Sequence, residues 1–412
     1  MRFTVATYGS EGDTRPLVAL CKGLMSAGHE VRLFADRSTL ASAQEHGVEA
    51  LALAGDMKAT VGPDGPLAKL MSEGGDVTEV ARAATRIAND NAGAWMKAIV
   101  EDARASDAVL FSGMASYIGL SAGEHLGIPA IGLGLWPISP TREFPSSLLR
   151  PWRLPGWLNR LSHRAVNALL WSMLRKKLNE ARRDVCAQPP RRRRWQKYPV
   201  LYGISPQLVP KPSDWPGFWE ICGAWHTAAG TWSPPKDLAD FLDDGDPPIY
   251  VGFGSMAGFD KDRLLSALAD GLQGRRVLFY PGWSGIESDA LPDNFFSLGH
   301  TPHDWLFAKV SMVIHHGGAG TTHTAVRAGV PSVVIPFAAD QFFWADRLEK
   351  AGVAPRYVPH TRLSASLLSD MVAFAEKEEV RANAIRLGAA MNKEDGVACA
   401  IAHIERFARR LS

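Results

Sequence analysis

The sequence has few of the residues and patterns that mark metal-binding, disulfide-rich or membrane-spanning proteins. Its four cysteines are scattered over 412 residues, and they are Cys21, Cys186, Cys222 and Cys399. No pair has the spacing of a metal site, and a chain of this size rarely depends on disulfides. We therefore expect buried free thiols in a reducing cytoplasm.

Long apolar runs and excess charge are also missing. No segment reaches 18 uninterrupted apolar residues, so no transmembrane helix is predicted. The N-terminal apolar run ends by Ala6, too early for a secretory signal. A formal net charge of +2 argues against dedicated nucleic-acid binding. The run Arg191–Arg194 favours a solvated surface patch, with weak binding to anionic lipid headgroups as the open alternative.

Two successive blocks of alternating strands and helices are present. In the first, apolar segments such as Phe3–Thr7 and Glu30–Ala35 read as strands separated by an amphipathic helix. A segment rich in Pro and Trp, from Trp136 to Trp157, reads as a long functional loop. A second α/β block follows the Pro-rich stretch 206–217. The fold class is thus α/β, with two doubly wound parallel sheets and a ligand cleft at the carboxyl ends of their strands.

The strongest chemical signal lies in the second block, where an apolar strand runs through a glycine-rich loop into a helix. Such a loop lets backbone amides approach an oxyanion, and the helix N-terminus adds its dipole. Hydroxyl and imidazole groups add further donors. This pattern predicts a diphosphate cradle formed by His315, His316, Gly318, Ala319, Gly320 and Thr321. The alternative is a plain tight turn with capping threonines.

Several motifs together resemble family 1 glycosyltransferases. The segment 316–321 reads HGGAGT, 328–332 reads AGVPS, and 336–341 reads PFAADQ. These are similar to the donor signature of the bacterial glycopeptide and macrolide type and of sterol glucosyltransferases. The segments 8–16 (YGSEGDTRP), 140–145 (PTREFP) and 154–158 (LPGWL) are also similar to those groups.

This resemblance implies a GT-B fold, in which two Rossmann-like domains face each other. We assign 1–210 to an acceptor-binding domain and 218–396 to a nucleotide-sugar domain. A C-terminal helix over 397–411 is expected to pack back on the first domain. The family implies inversion at the anomeric carbon without a metal ion or cofactor, from a nucleotide sugar with UDP-glucose favoured.

Asp13 is the candidate catalytic base. Displacement at an anomeric carbon needs a base that takes the acceptor proton. The loop after the first strand has no histidine, and the family resemblance assigns the role to Asp13. A carboxylate is a weak base at neutral pH, so burial must raise its pKa. The alternative is that Asp13 caps the next helix. Gly12 is expected to bring its amide near the diphosphate.

The remaining site predictions concern the donor sugar, the nucleobase and the acceptor. Asp340 and Gln341 suit bidentate contact with sugar hydroxyls, and Ser255 suits a phosphate or ribose. By family analogy the nucleobase contacts are Trp283, His300 and Thr301. The aromatic loop suggests that a bulky apolar acceptor contacts Trp136 and Phe144, although these rings could equally pack the loop on its own domain.

The sequence therefore predicts an inverting hexosyltransferase that acts on a hydroxyl group of a lipophilic small molecule, such as a sterol, macrolide or polyphenol. The alternatives are a nucleotide-sugar epimerase of the same fold, a nicotinamide-dependent reductase and a non-catalytic ligand binder. The reductase is disfavoured because the loop at 8–13 does not match Gly-x-Gly-x-x-Gly.

Overall fold

The structure is a computed structural model that describes residues 1–61, 77–152, 155–227, 232–254, 256 and 259–409. It contains two parallel β-sheets with helices packed on their faces. The predicted α/β class and the two-block arrangement are confirmed.

The first sheet has seven strands, which are β1 (Arg2–Ala6), β2 (Glu30–Ala35), β3 (Ala50–Ala52), β4 (Ala108–Phe111), β5 (Ala130–Gly134), β6 (Val200–Tyr202) and β7 (Trp219–Ile221). Their order is β3-β2-β1-β4-β5-β6-β7. In the register of the central strands, Thr4 pairs with Arg32 on one side and Val109 on the other. The central strands are apolar runs because helices cover both faces.

The helices around this sheet are α1 (Glu11–Ser26), α2 (Leu40–Gln44), α3 (Met57–Val61), α4 (Val77–Ala103), α5 (Ser116–Leu126) and α6 (Gly156–Cys186). Helix α1 packs on the sheet through Leu17, Leu20 and Leu24, which are fully buried. The sequence analysis missed α4. The segment from Trp136 to Trp152 contains neither helix nor strand, so the described part of the predicted loop is irregular.

The second sheet has five strands, which are β8 (Ile249–Gly252), β9 (Val277–Tyr280), β10 (Phe295–Ser297), β11 (Met312–His315) and β12 (Ser332–Val334). Their order is β10-β9-β8-β11-β12. The helices that accompany them are α7 (Lys236–Asp243), α8 (Lys261–Gly271), α9 (His303–Leu306), α10 (Ala319–Arg327), α11 (Gln341–Lys350), α12 (Ala365–Ala375) and α13 (Glu378–Met391).

The last helix, α14 (Gly396–Arg409), packs on the first domain. Its residues Ala400 and Ile404 are fully buried in the core that also contains Leu17 of α1. The predicted end at Leu411 lies outside the described residues. The predicted boundary between the domains is too early, because β7 (Trp219–Ile221) pairs in parallel with β6 and completes the first sheet.

Candidate functional site

The loop that carries Asp13 lies at the point where the strand order of the first sheet reverses. Successive strands add on one side of β1 as β2 and β3, and on the other side as β4 and β5. A crevice forms at such a point because the loops after the two strands diverge. The loop after β4 contains Gly113, which has φ of 54°, and a Cβ there would lie 3.5 Å from the carbonyl oxygen of Tyr8. The two loops are therefore in close contact.

Asp13 sits in the first turn of α1. The helix begins at Glu11, with Ser10 as the preceding cap residue. The Ser10 amide donates to Asp13 Oδ2 at 2.8 Å, and the Ser10 hydroxyl donates to the same oxygen at 3.3 Å. Burial raises the pKa of Asp13 to about 6, against the lowering effect of the two Ser10 bonds. Asp13 is therefore not the N-cap foreseen as an alternative; as the third residue of α1 it closes a capping box with Ser10. It also has the raised pKa that a base requires.

The glycine-rich loop lies at the corresponding reversal in the second sheet. Strands β9 and β10 extend from one side of β8, while β11 and β12 extend from the other. The loop after β8 holds Gly254, at φ of 60°, where a Cβ would be 3.0 Å from the His316 ring. A Cβ on Gly318 would be only 2.4 Å from His316 Nε2. Glycine at both positions leaves the space that the His316 ring occupies.

The N-terminus of α10 supplies backbone donors to this crevice. The first amide with an intrahelical partner is that of Thr322, which donates to the Gly318 carbonyl at 2.9 Å. The amides of Ala319, Gly320 and Thr321 precede it and have no intrahelical partner. Gly320 is exposed, and Ala319 and Thr321 are partly exposed. Three free amides and the positive end of a helix dipole form a site suited to an anion.

The paired histidines have different surroundings. His315 is fully buried, and its Nδ1 accepts the Gly317 amide at 3.1 Å. The ring therefore shapes the loop, while its Nε2 is buried without a hydrogen-bond partner, and the contact with the diphosphate stays a prediction. His316 is partly exposed. Burial lowers the pKa of His315 to about 3 and that of His316 to about 4. Burial therefore favours the neutral form of both rings.

The two crevices face each other. Helix α1 contacts α10, and the Arg15 guanidinium lies 3.4 Å from His300 Nε2 of the second domain. Burial and, to a smaller extent, the charge of Asp13 raise the pKa of Asp340 to about 6. The electrostatic influence of Asp13 thus reaches across the cleft. The N-termini of α1 and α10 and the carboxyl groups of Asp13 and Asp340 thus surround one space between the domains.

Comparison with known proteins identifies the family. Residues 264–401 match the model described as "Erythromycin biosynthesis protein CIII-like, C-terminal domain". The chain is 31% identical over 415 residues to the sterol 3-beta-glucosyltransferase UGT80B1 of Arabidopsis thaliana, covering 97% of this chain and 67% of that protein. This chain belongs to the glycosyltransferase family that contains the sterol 3-beta-glucosyltransferases. The resemblance drawn from the motifs is confirmed.

Other relatives of this glycosyltransferase differ in length or sequence. The sterol 3-beta-glucosyltransferase of Aspergillus clavatus is 32% identical over 429 residues, which cover 98% of this chain but 30% of the fungal protein. The crystal structure of the glycotransferase of kitacinnamycin has a TM-score of 0.71 at 19% identity, covering 98% of each chain. The structural similarity extends over both domains and confirms the GT-B fold.

Of the two residues predicted to bind the donor sugar, Asp340 is accessible and Gln341 is buried. Asp340 is partly exposed, and its Oδ2 accepts the Trp344 indole N–H at 2.9 Å. Ala339 before it has φ of 51°, a conformation that is strained for a residue with a Cβ. Gln341 is 6% exposed, and its Oε1 accepts the amides of Phe337 and Ala338. The side chain thus holds the loop that presents Asp340, and its contact with sugar hydroxyls stays a prediction.

The other predicted donor contacts follow strands of the second sheet. Trp283 comes after β9, is partly exposed, and its amide donates to the Gly254 carbonyl at 2.9 Å. His300 is exposed after β10, and the Thr301 hydroxyl donates to the Gly299 carbonyl at 3.2 Å. Ser255 lies outside the described residues. Trp283, His300 and Thr301 therefore share the carboxyl edge of the sheet with the His316 loop.

Gly12 and the two predicted acceptor residues complete the set. Gly12 is exposed in the first turn of α1, where its amide has no intrahelical partner. Trp136 is partly buried, and its indole N–H lacks a hydrogen-bond partner. Phe144 is 4% exposed and packs on Phe343 of α11 with ring centroids 5.4 Å apart. The predicted acceptor role of Phe144 is corrected, because its ring forms part of the contact between the domains.

One interdomain residue was missed by the sequence analysis. His323 on α10 has Nδ1 2.7 Å from the Ala319 carbonyl, and its Nε2 accepts the Ser205 amide at 3.1 Å. Burial lowers the pKa of His323 to about 4, which keeps the acceptor nitrogen free of a proton. His323 therefore ties the cradle helix to the first domain. Nothing in its sequence context signals this, because Ser205 is distant in the chain.

The described residues contain no group of three or more His, Cys, Asp or Glu side chains arranged to hold a metal ion. Among the helices in those same ranges, none is both long enough and apolar enough to cross a bilayer.

Proposed function

We propose that this glycosyltransferase moves a hexose, with glucose favoured, from a UDP- or dTDP-sugar to a hydroxyl group of a lipophilic acceptor. The names of the sterol 3-beta-glucosyltransferases support both glucose and an acceptor of the sterol class. A cradle of backbone amides recognises the diphosphate common to both nucleotide types. A sterol is therefore the first acceptor to test, followed by macrolides and polyphenols.

The arrangement that carries this proposal is Asp13 of the first domain facing the α10 N-terminus of the second. In the reaction, Asp13 takes the proton of the acceptor hydroxyl as its oxygen attacks the anomeric carbon. The bond from that carbon to the diphosphate oxygen breaks, and the electron pair leaves with the nucleoside diphosphate. The amides of α10 and the dipole of the helix stabilise the charge on the leaving group. Attack from the side opposite the diphosphate inverts the anomeric centre.

The contribution of His316 is that of a neutral hydrogen-bond donor. Burial lowers the pKa of His316 to about 4, which favours the neutral ring. In the proposed reaction Asp340, whose Oδ2 also accepts the Trp344 indole N–H, accepts hydrogen bonds from sugar hydroxyls. In this scheme the nucleotide sugar brings the leaving group with it, and no cofactor or metal ion takes part.

The proposal is tested by incubating the protein with UDP-glucose or dTDP-glucose and a panel of sterols, macrolides and polyphenols. Mass spectrometry should reveal a product one hexose heavier than its acceptor. The proton coupling constant of the new anomeric centre should show a β-linkage formed from the α-linked donor. An α-linked product would exclude inversion. Conversion of the nucleotide sugar to an epimer without any acceptor would instead support the epimerase alternative.

A further inference from the structure

The N-terminal half of α6 exposes large apolar side chains to solvent. Trp157 is 64% exposed and Leu161 is 51% exposed, and Trp152 before the helix and Leu169 farther along it are exposed as well. Isolated exposed apolar residues are ordinary, but several in one segment mark an interaction surface. The opposite side of α6 is occupied at this end of the helix, because Asn159, Ser162 and His163 are buried there.

Five exposed residues lie along one line of the helix, and two of them are Trp157 and Leu161. Positions 157, 161, 164, 168 and 175 fall within about 60° of arc at 3.6 residues per turn. We call this stripe the Trp157 face; all its members are exposed, and they are Trp157, Leu161, Arg164, Ala168 and Arg175. It therefore combines a tryptophan and a leucine near the start of the helix with arginines along the same line.

The charge of the surrounding segment is of one sign. Between Glu143 and Glu180 the sequence contains seven Lys or Arg residues and no Asp or Glu. The whole chain, by contrast, has nearly equal numbers of basic and acidic residues, 45 and 43. An apolar stripe with Trp and Leu, flanked only by positive charges, matches the chemistry of a bilayer surface with anionic headgroups.

The face is also joined to the loop predicted to bind the acceptor. The Asn159 amide nitrogen donates to the Arg142 carbonyl at 3.0 Å. His163 Nε2 donates to the Phe144 carbonyl at 3.1 Å. The first two turns of α6 therefore anchor the loop that begins at Trp136. Because both bonds leave from the other side of α6, the helix itself links the Trp157 face to this loop.

The Arg191–Arg194 run is a weaker candidate for the same role. The Arg191 guanidinium binds Glu124 at 2.7 Å and lies over the Trp195 ring at 4.0 Å. The Arg191 and Arg192 carbonyls accept bonds from Asn179 and Trp171 on α6. Much of the run thus stabilises the end of α6. The neighbouring apolar side chain, Trp195, is only partly exposed.

We propose that the Trp157 face binds the surface of a bilayer that contains anionic lipids, with Trp157 and Leu161 inserted at the headgroup level. This binding needs neither a nucleotide sugar nor an acceptor, so it is independent of the proposed transfer reaction. Its apolar part should persist at high salt. The contribution of the arginines should weaken as salt screens the headgroup charge.

The test is co-sedimentation of the full chain with phosphatidylcholine vesicles that contain or lack about 30% phosphatidylglycerol. The double variant Trp157→Ser/Leu161→Ser should reduce partitioning at least about tenfold, because two large apolar side chains no longer leave water. The matched control is Ile385→Ser, since Ile385 is also 64% exposed but lies on α13 of the second domain. This control should bind vesicles as the unmodified protein does.

A second pair of variants separates the two basic regions. Arg164→Ser/Arg175→Ser should reduce binding to anionic vesicles by roughly fivefold per arginine. Arg192→Ser/Arg193→Ser removes two exposed charges from the run and should leave binding unchanged. If the second pair loses binding and the first keeps it, the Trp157 face is the wrong surface.

Three further measurements test whether the Trp157 face binds a bilayer. No partitioning of the unmodified protein into anionic vesicles would overturn the proposal. Sedimentation velocity without lipid addresses a second copy as occupant: a dimer that Trp157→Ser/Leu161→Ser dissociates would assign the face to self-association. Hexose transfer to an acceptor presented in detergent should survive in this variant, which keeps a failure of membrane binding distinct from a failure of catalysis.

Discussion

Replacing Asp13 by asparagine should abolish transfer while making the protein more stable at neutral pH. Asparagine keeps the size of the side chain and an oxygen that accepts the Ser10 amide, so the first turn of α1 retains its contact. It cannot take a proton from the acceptor hydroxyl. Loss of a general base commonly lowers the rate by about 10²–10⁴-fold.

The gain in stability follows from the raised pKa. The pKa of Asp13 is about 6 in the folded protein, against 3.8 for an unperturbed aspartate. A difference of about two units corresponds to about 3 kcal/mol at most, and the partial exposure of the side chain reduces this to about 1–2 kcal/mol. The folded protein holds the proton more tightly, so the ionised carboxylate disfavours folding above pH 6. Below about pH 4 both states are protonated, and the advantage of the variant disappears.

Two measurements check this prediction. Denaturant unfolding of both proteins at pH 8 and pH 4 gives the difference in free energy of unfolding, and hexose transfer gives the activity. A stable variant with near-normal turnover would refute Asp13 as the base and leave only its capping contact. A variant destabilised at pH 8 but not at pH 4 would show that the ionised carboxylate gains more from the capping bond than it loses through burial.

Three further predictions concern the rest of the site. The value of kcat/KM should be flat above pH 6 and fall about tenfold per unit below it, as the base becomes protonated; a profile without this limb would contradict a pKa near 6 for Asp13. Gly318→Ala should weaken binding of UDP and dTDP at least about tenfold in calorimetry, because the added Cβ lies 2.4 Å from His316 Nε2; unchanged affinity would exclude this loop as the cradle. Phe144→Ala should lower the free energy of unfolding by about 3–5 kcal/mol through loss of its packing on Phe343, with little change in acceptor KM. A large rise in KM at full stability would restore Phe144 as an acceptor contact.

The sequence could predict the two motif-bearing loops because each depends on local chemistry. An apolar strand, a glycine-rich loop and a helix start are adjacent in the chain, so the strand–loop–helix unit that contains 316–321 could be predicted from the order of residues. The position of Asp13 could be predicted for the same reason, since its segment follows β1 directly. The pKa values of Asp13 and Asp340 could not be predicted, because they depend on how deeply each carboxyl group is buried in the folded cleft.

Other features could not be predicted, because the tertiary structure decides the direction of the side chains and the extent of the sheet. His315 and His316 are adjacent in sequence, yet the end of β11 turns one ring inward and leaves the other beside Gly254. Gln341 looked like a partner of Asp340, but two backbone amides within its own loop occupy its oxygen. The boundary after residue 210 was misplaced because a Pro-rich stretch suggested a linker, whereas β7 beyond it still pairs with β6.

The position of the site follows from topology more than from any single residue. In both sheets the strand order reverses next to the strand whose loop carries a predicted motif, β1 for Asp13 and β11 for His316. Each reversal opens a crevice, and the helix that follows the motif points its N-terminus there. Because α1 contacts α10, these two crevices become one cleft. The packing of α10 on the first domain sets the separation between base and leaving group, and His323 contributes to it by accepting the Ser205 amide. His323→Ala should therefore lower kcat while leaving the affinity of the second domain for the nucleotide unchanged. A weaker affinity without an effect on kcat would show that the two domains do not need the His323–Ser205 bond for catalysis.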